Sequence, residues 1–159
     1  MKRIHRGMAL ALSAVLLLLT AAPSAWAAEN TITIETAQDL AELSKNCSLD
    51  SWSQGKTVLL AGDIDLTGTD FRPIPTFGGT FDGQGHTISG LLVTGNGNVQ
   101  GLFRYVQVGG VVQDLSVRGT VSPTDFRDTA GGIVGSNRGQ LLRCTFQGTV
   151  KGESSVGGI

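Results

Sequence analysis

The chain is poor in the residues that carry chemistry in small proteins. It holds two cysteines, two histidines and one tyrosine among 159 residues. Two cysteines do not make a disulfide framework, although Cys47 and Cys144 would be free to pair in an oxidising compartment. Cys144 fills a slot that Leu115 fills in a neighbouring repeat, so it reads as a small buried hydrophobe. Two cysteines and two scattered histidines fall short of a tetrahedral metal set. No metal, cofactor or catalytic residue is therefore assigned.

Basic charge is scarce as well. Residues 1–27 hold "MKRIHR", an apolar run "MALALSAVLLLLT" and the small-x-small Ala25-Trp26-Ala27, the pattern of a cleaved export signal. Setting them aside leaves nine Lys and Arg against thirteen Asp and Glu, a net charge of −4. A nucleic-acid partner needs a basic face and is excluded. The apolar run is too short to cross a bilayer as a helix, and nothing later is longer, so no membrane span is expected in the mature chain. The expected location is extracellular or at the cell surface.

Glycine is abundant, at 23 residues, and it alternates with short β-branched runs that mark strands. "TISGLLVTG" (87–95), "VVQDLSVRG" (111–119) and "QLLRCTFQG" (140–148) align on their closing glycines. That alignment predicts apolar columns at 88/112/141, 91/115/144 and 93/117/146. A second register runs through "GLFRYV" from Gly101, "GIVGSN" from Gly132 and "GGI" at 157–159, with "GGTFDGQG" (78–85) placed before the first copy. A period of two dozen residues or so means a solenoid.

"ISGLLVTGN" (88–96) fits a leucine-rich repeat, the competing solenoid. The asparagine slot, however, becomes Thr120 and Thr149, and the rest of each unit is too glycine-rich for a helix. The expected fold is an all-β right-handed parallel β-helix. "TAQDLAELSK" (36–45) predicts a short capping helix with Thr36 as N-cap and Leu40 and Leu43 facing inward, followed by a strand over 56–66. The expected division is a signal at 1–27, a cap at 28–66 and coils over 67–159. "SSVGGI" opens a further unit, which predicts a piece of a longer repeat protein.

"GGIVGSNRGQLLRCTFQGTV" (131–150) resembles the GLUG motif, a repeat of secreted bacterial adhesin-like proteins also found near immunoglobulin A peptidases. The stretch 59–91 is similar to the segment that leads into such repeats. The resemblance implies a β-helical stalk or binding region, with a host or matrix glycan or protein, or the rest of a longer chain, as partner. Arg104 stands where that motif usually has a small glycine, which predicts a more open corner.

Three constellations invite a chemical reading. Asp63 and Asp65 alternate in "GDIDL", as paired carboxylates of calcium-dependent lyases or glycosidases would. The simpler reading puts Ile64 and Leu66 in the core and the aspartates in solvent. Asp82 and His86 in "TFDGQGHTI" suggest an acid–base pair, but Asp-Gly is foremost a turn signal and no nucleophile accompanies them. "GNGNVQG" (95–101) lacks the spacing of a phosphate loop, and "DFRD" (125–128) reads as an insertion loop. The expected function is a non-enzymatic surface module displaying loops 94–100 and 122–130. The alternative is the N-terminal part of an extracellular carbohydrate-active or peptidase-associated β-helix protein with its catalytic region beyond residue 159.

Overall fold

A computed structural model describes residues 30–124 and 129–159; the leader and "DFRD" lie outside the described residues. Short strands run around a common axis and pair in parallel with the coil before and after. The first sheet stacks β1 (Thr31–Ile34), β2 (Thr57–Leu60), β5 (Thr80–Asp82), β9 (Val111–Gln113) and β13 (Gln140–Leu142). The second stacks β3 (Ile64–Asp65), β6 (Thr87–Val93), β10 (Ser116–Val121) and β14 (Thr145–Val150). The third holds β7 (Val99–Gln100), β11 (Thr129–Gly131) and β15 (Ser155–Gly157). The fourth holds β4 (Ile74–Phe77), β8 (Phe103–Val106) and β12 (Val134–Asn137). This is a parallel β-solenoid. The leucine-rich alternative falls, because the single described helix, α1 (Ala37–Asn46), lies outside the repeats.

The later two repeats stack as their residues predict: Val112 lies against Leu141, and Val117 against Phe146. The first copy does not. Ile88 lies against Val117 rather than Val112, and Leu91 against Gly119 rather than Leu115. Phe81 takes the place expected of Ile88, pairing with Val112. The reason is an insertion. "DGQGH" makes the corner between the first two sheets two residues longer here than in later coils, and a bulge between Ile88 and Leu91 adds one more. "GGTFDGQG" is accordingly the first-sheet strand itself, and Ile74–Phe77 stand under Phe103–Val106. The matches of "GLFRYV" to "GIVGSN" and of the two "GGI" stretches hold.

Glycine reaches positive φ at no steric cost, but the corners here do not rely on it alone. At the corner between the first and second sheets Gln84, Asp114 and Arg143 are left-handed, at φ 53°, 50° and 53°, and Gly85 beside Gln84 is at φ 80°. Glycine matters more where coils approach closely. Gly119 and Gly148 are stacked partners, and a Cβ on either would collide with the backbone oxygen of the coil before it.

The core is a column of aliphatics around three phenylalanines. Phe77, Phe81 and Phe103 are fully buried, with ring centroids 5.2–6.1 Å apart in edge-on or tilted contact, the arrangement aromatic quadrupoles favour. The column thins toward the last coil. Leu141, Cys144, Phe146 and Val150 are only partly buried, whereas Val112, Leu115, Val117 and Val121 one coil earlier are buried.

At the other end α1 covers the core. Thr36 accepts from the Asp39 amide while the Asp39 carboxylate accepts from the amides of Glu35 and Thr36, a reciprocal capping box. Leu40 and Leu43 are buried, and the Ser44 hydroxyl donates to the carbonyls of Arg72 and Pro73. Thr36→Ala is expected to cost about 1 kcal/mol of stability, read from the midpoint of urea unfolding. The predicted strand 56–66 is in fact two, β2 and β3, in different sheets: the chain turns a corner at 61–63.

Candidate ligand groove

The carboxylate pair at 63 and 65 does not converge. Asp63 precedes β3, where its Oδ1 accepts from the Thr87 amide at 2.8 Å and lies 3.5 Å from His86 Nδ1. Asp65 turns back on its own chain and accepts from the Thr67 amide at 2.9 Å. Ile64 and Leu66 are buried, as the simpler reading had it. His86 therefore meets Asp63 of the coil before it. Asp82 accepts instead from the Gln84 amide and from Gln113 Nε2. The segment 95–101 leads into β7, not into a helix that could hold a phosphate. No group of three His, Cys, Asp or Glu capable of holding a metal occurs among the described residues.

Cys47 and Cys144 are both free. Cys47, at the end of α1, is fully buried, and burial pushes its thiol up to about 11. Such a group stays protonated and inert at neutral pH. Burial also raises the Cys144 thiol.

Three aspartates at the surface, Asp65 exposed and Asp39 and Asp114 partly so, have lowered pKa values, each through hydrogen bonds to the charged form. Asp39 is held down chiefly by the Glu35 amide, Asp65 by the Thr67 side chain and amide, and Asp114 by the Arg143 guanidinium. The last is a two-point pair, at 2.5 and 2.7 Å. In each case the folded pKa lies below the unfolded one, so the stabilisation is present above the unfolded value and lost as pH falls through the folded one. Unfolding midpoints should therefore drop below about pH 4. Asp114→Asn should shallow that drop, which acid-series urea melts would show.

A concave feature on the flank of the solenoid arises from a missing strand. The coil built from β2, β3 and β4 contributes nothing to the third sheet. Its side there is the irregular "TGTDFRP" (67–73), where a glycine at positive φ and a proline interrupt strand rhythm. The third sheet thus begins one coil late, and β7 is its edge strand. Between that edge, residues 70–75 and α1 lies a groove of about 820 Å³, within the ~300–1,000 Å³ range of small-molecule sites.

Two side chains hold its far wall. Gln100 is 4% exposed, and its Nε2 donates to the carbonyls of Gly95 and Gly97 from beneath. Arg104 Nε donates to the Val99 carbonyl at 3.0 Å. Since the Asn98 carbonyl is bonded toward β11, alternation along the strand turns Val99's toward the bare edge. Arg104 therefore satisfies an edge group. It is half-buried across loop 95–99 rather than opening a corner, and its stacked partner is Gly135. Thr124 donates to Asn96 Oδ1 at 2.5 Å, tying together the two loops expected to be displayed.

Of the groove's residues, Thr94, Gly95, Asn96 and Gln100 of loop 94–100 and Arg104 were singled out from sequence, and Lys45, Asp70, Phe71 and Arg72 were not. The available signal was "GTDFRPIP" (68–75), an aromatic between opposite charges in a stretch that cannot continue a strand.

The stacked parallel coils make the molecule a repeat scaffold of the β-solenoid class, with the groove on its flank. The chain is similar to Halomucin of Haloquadratum walsbyi (strain DSM 16790 / HBSQ001), at 32% identity over 126 residues, covering 69% of this chain and 1% of that protein. The chain thus spans about a hundredth of the length of the curated relative it matches. No family model matches it, and no solved structure does. No described helix is long and apolar enough to cross a membrane.

Proposed function

We propose that this chain is a non-enzymatic, extracellular or cell-surface β-solenoid module that binds ligands through loops carried on its flank. The observation that carries this reading is the groove beside β7, whose far wall is fixed by a buried glutamine and by an arginine on the sheet edge. A rigid scaffold positioning irregular loops is the usual arrangement of a recognition surface.

The export-like residues 1–27, the GLUG-like repeats and the similarity to the far longer Halomucin support placement outside the cell, within a repeat protein of the adhesin-like kind. Coils that pair only with their neighbours suit such chains, because each added coil repeats the same interface. The partners this reading takes are a host or matrix glycan or protein, or further coils of a longer chain.

The test is binding of the purified chain to a panel of immobilised glycans and matrix proteins, alongside a polysaccharide turnover assay. Saturable binding without turnover is the expected result. Turnover of any polysaccharide, or no binding across the panel, overturns the proposal.

A further inference from the structure

We infer that the groove beside β7 takes an acidic saccharide, a sugar chain bearing carboxylate or sulfate groups. This rests on the binding-module reading and names the ligand class of the same site.

Charge is the first argument. Residues 28–159 carry a net −4, yet the groove gathers Lys45, Arg72 and Arg104 against one acid, Asp70. Among the described residues Arg143 pairs with Asp114 and His86 lies beside Asp63, and within that set Lys45, Arg72 and Arg104 meet no carboxylate at ion-pair distance. Lys45 sits in the last turn of α1, where it offsets the helix's negative end in part. Arg72 has no such duty. Its backbone is pinned to α1 by the Ser44 hydroxyl while its side chain is exposed in the groove wall. Arg104 spends one N–H on Val99, and its other N–H groups make no hydrogen bond among the described residues. A cationic cluster on an acidic protein concentrates field on an anion, and guanidinium forks match carboxylate and sulfate oxygens.

The lining chemistry is the second argument. Phe71 is partly exposed and Leu92 is 64% exposed, giving apolar faces on which a sugar ring can lie. Gln100 donates both of its bonds to loop carbonyls, and its Oε1 accepts none among the described residues, leaving an acceptor for a hydroxyl. An acidic peptide would seek strand pairing, but the edge carbonyl of Val99 is already occupied by Arg104.

The experiment is titration calorimetry of the purified chain with tetragalacturonate, with its fully methyl-esterified form, with a sulfated carrageenan-type tetrasaccharide and with hexaglutamate. Binding of tetragalacturonate or the sulfated sugar is expected, and which of them binds separates carboxylate from sulfate recognition. Arg72→Gln should weaken it about tenfold, as should raising the salt tenfold. Arg118→Gln, an exposed change on β10 outside the groove lining, should leave it unaltered. Lys45→Gln serves as a second exposed variant, expected to weaken binding about threefold.

Equal binding of the methyl ester overturns the acidic assignment while leaving the module reading intact. Binding unchanged in both groove variants overturns the location. Hexaglutamate binding as tightly as the acidic sugars overturns the saccharide class. Binding of neither acidic sugar refutes the inference, and only a blank glycan and matrix panel as well would take the module reading with it.

Discussion

Phe81→Ala is expected to destabilise the chain by about 3–5 kcal/mol, a large share of the ~5–15 kcal/mol that holds a domain folded. Phe81 is fully buried and its ring meets both Phe77 and Phe103. Truncation removes the transfer term and opens a cavity at the centre of the column. The surrounding strands belong to coils fixed by their own hydrogen bonds, so they cannot collapse into that space. The same truncation at Phe146, partly buried in the last coil, should cost roughly 1–2 kcal/mol, because water already reaches it. Denaturant midpoints of the two variants, compared at equal slopes, check this. Equal losses would mean that the core is not graded from centre to end.

Gly119→Ala is expected to cost about 3 kcal/mol or more, although it adds only one methyl group. Gly119 lies between Leu91 of the coil before and Gly148 of the coil after. A Cβ at Gly119 would overlap the Leu91 carbonyl oxygen and come 2.7 Å from the Leu91 Cβ. The carbonyl belongs to the backbone of a neighbouring strand, so relief requires moving the whole coil. Gly62→Ala is the matched control. It meets nothing within 4 Å and has no positive φ, so its effect should stay within about 0.5 kcal/mol. Thermal or urea unfolding of the pair distinguishes crowding between coils from a general intolerance of alanine for glycine. Two neutral variants would show that the coils are farther apart than 119 and 148 imply.

The solenoid was legible in the sequence because its later two repeats run from the first sheet into the second without insertion. Val112, Leu115 and Val117 recur as Leu141, Cys144 and Phe146 at a constant offset, and those columns formed. Across the first coil the same reasoning slipped, because "DGQGH" lengthens a corner and a bulge near Gly90 lengthens a strand. Hydrophobic pattern identifies inward positions along one strand. It does not say which strand of the next coil lies above when corner lengths differ.

The helix cap was legible for a local reason: Thr36 and Asp39 satisfy each other's amides within four residues. The groove was not, since it arises from a strand that one coil lacks. Lys45, Arg72 and Arg104 are distant in sequence and meet only because β7 begins its sheet late. Aspartates 63, 65 and 82 drew the eye as chemistry, but Asp65 and Asp82 accept from amides two residues ahead and Asp63 from Thr87 across the coil.

The register of stacking is the central claim, and engineered disulfides test it most directly. Thr87, Ser116 and Thr145 are in-register partners on successive coils, with Thr145 Oγ1 donating to Ser116 Oγ at 3.0 Å. Neighbouring strands lie about 4.8 Å apart, within the reach of a disulfide. In a Cys144→Ser background, Thr87→Cys with Ser116→Cys, and Ser116→Cys with Thr145→Cys, should each oxidise readily to a cross-linked monomer detected by mass spectrometry. Thr87→Cys with Val111→Cys should not, since Val111 is paired with Thr80. Ready cross-linking of 87 to 111, with none between 87 and 116, would contradict the stacking described.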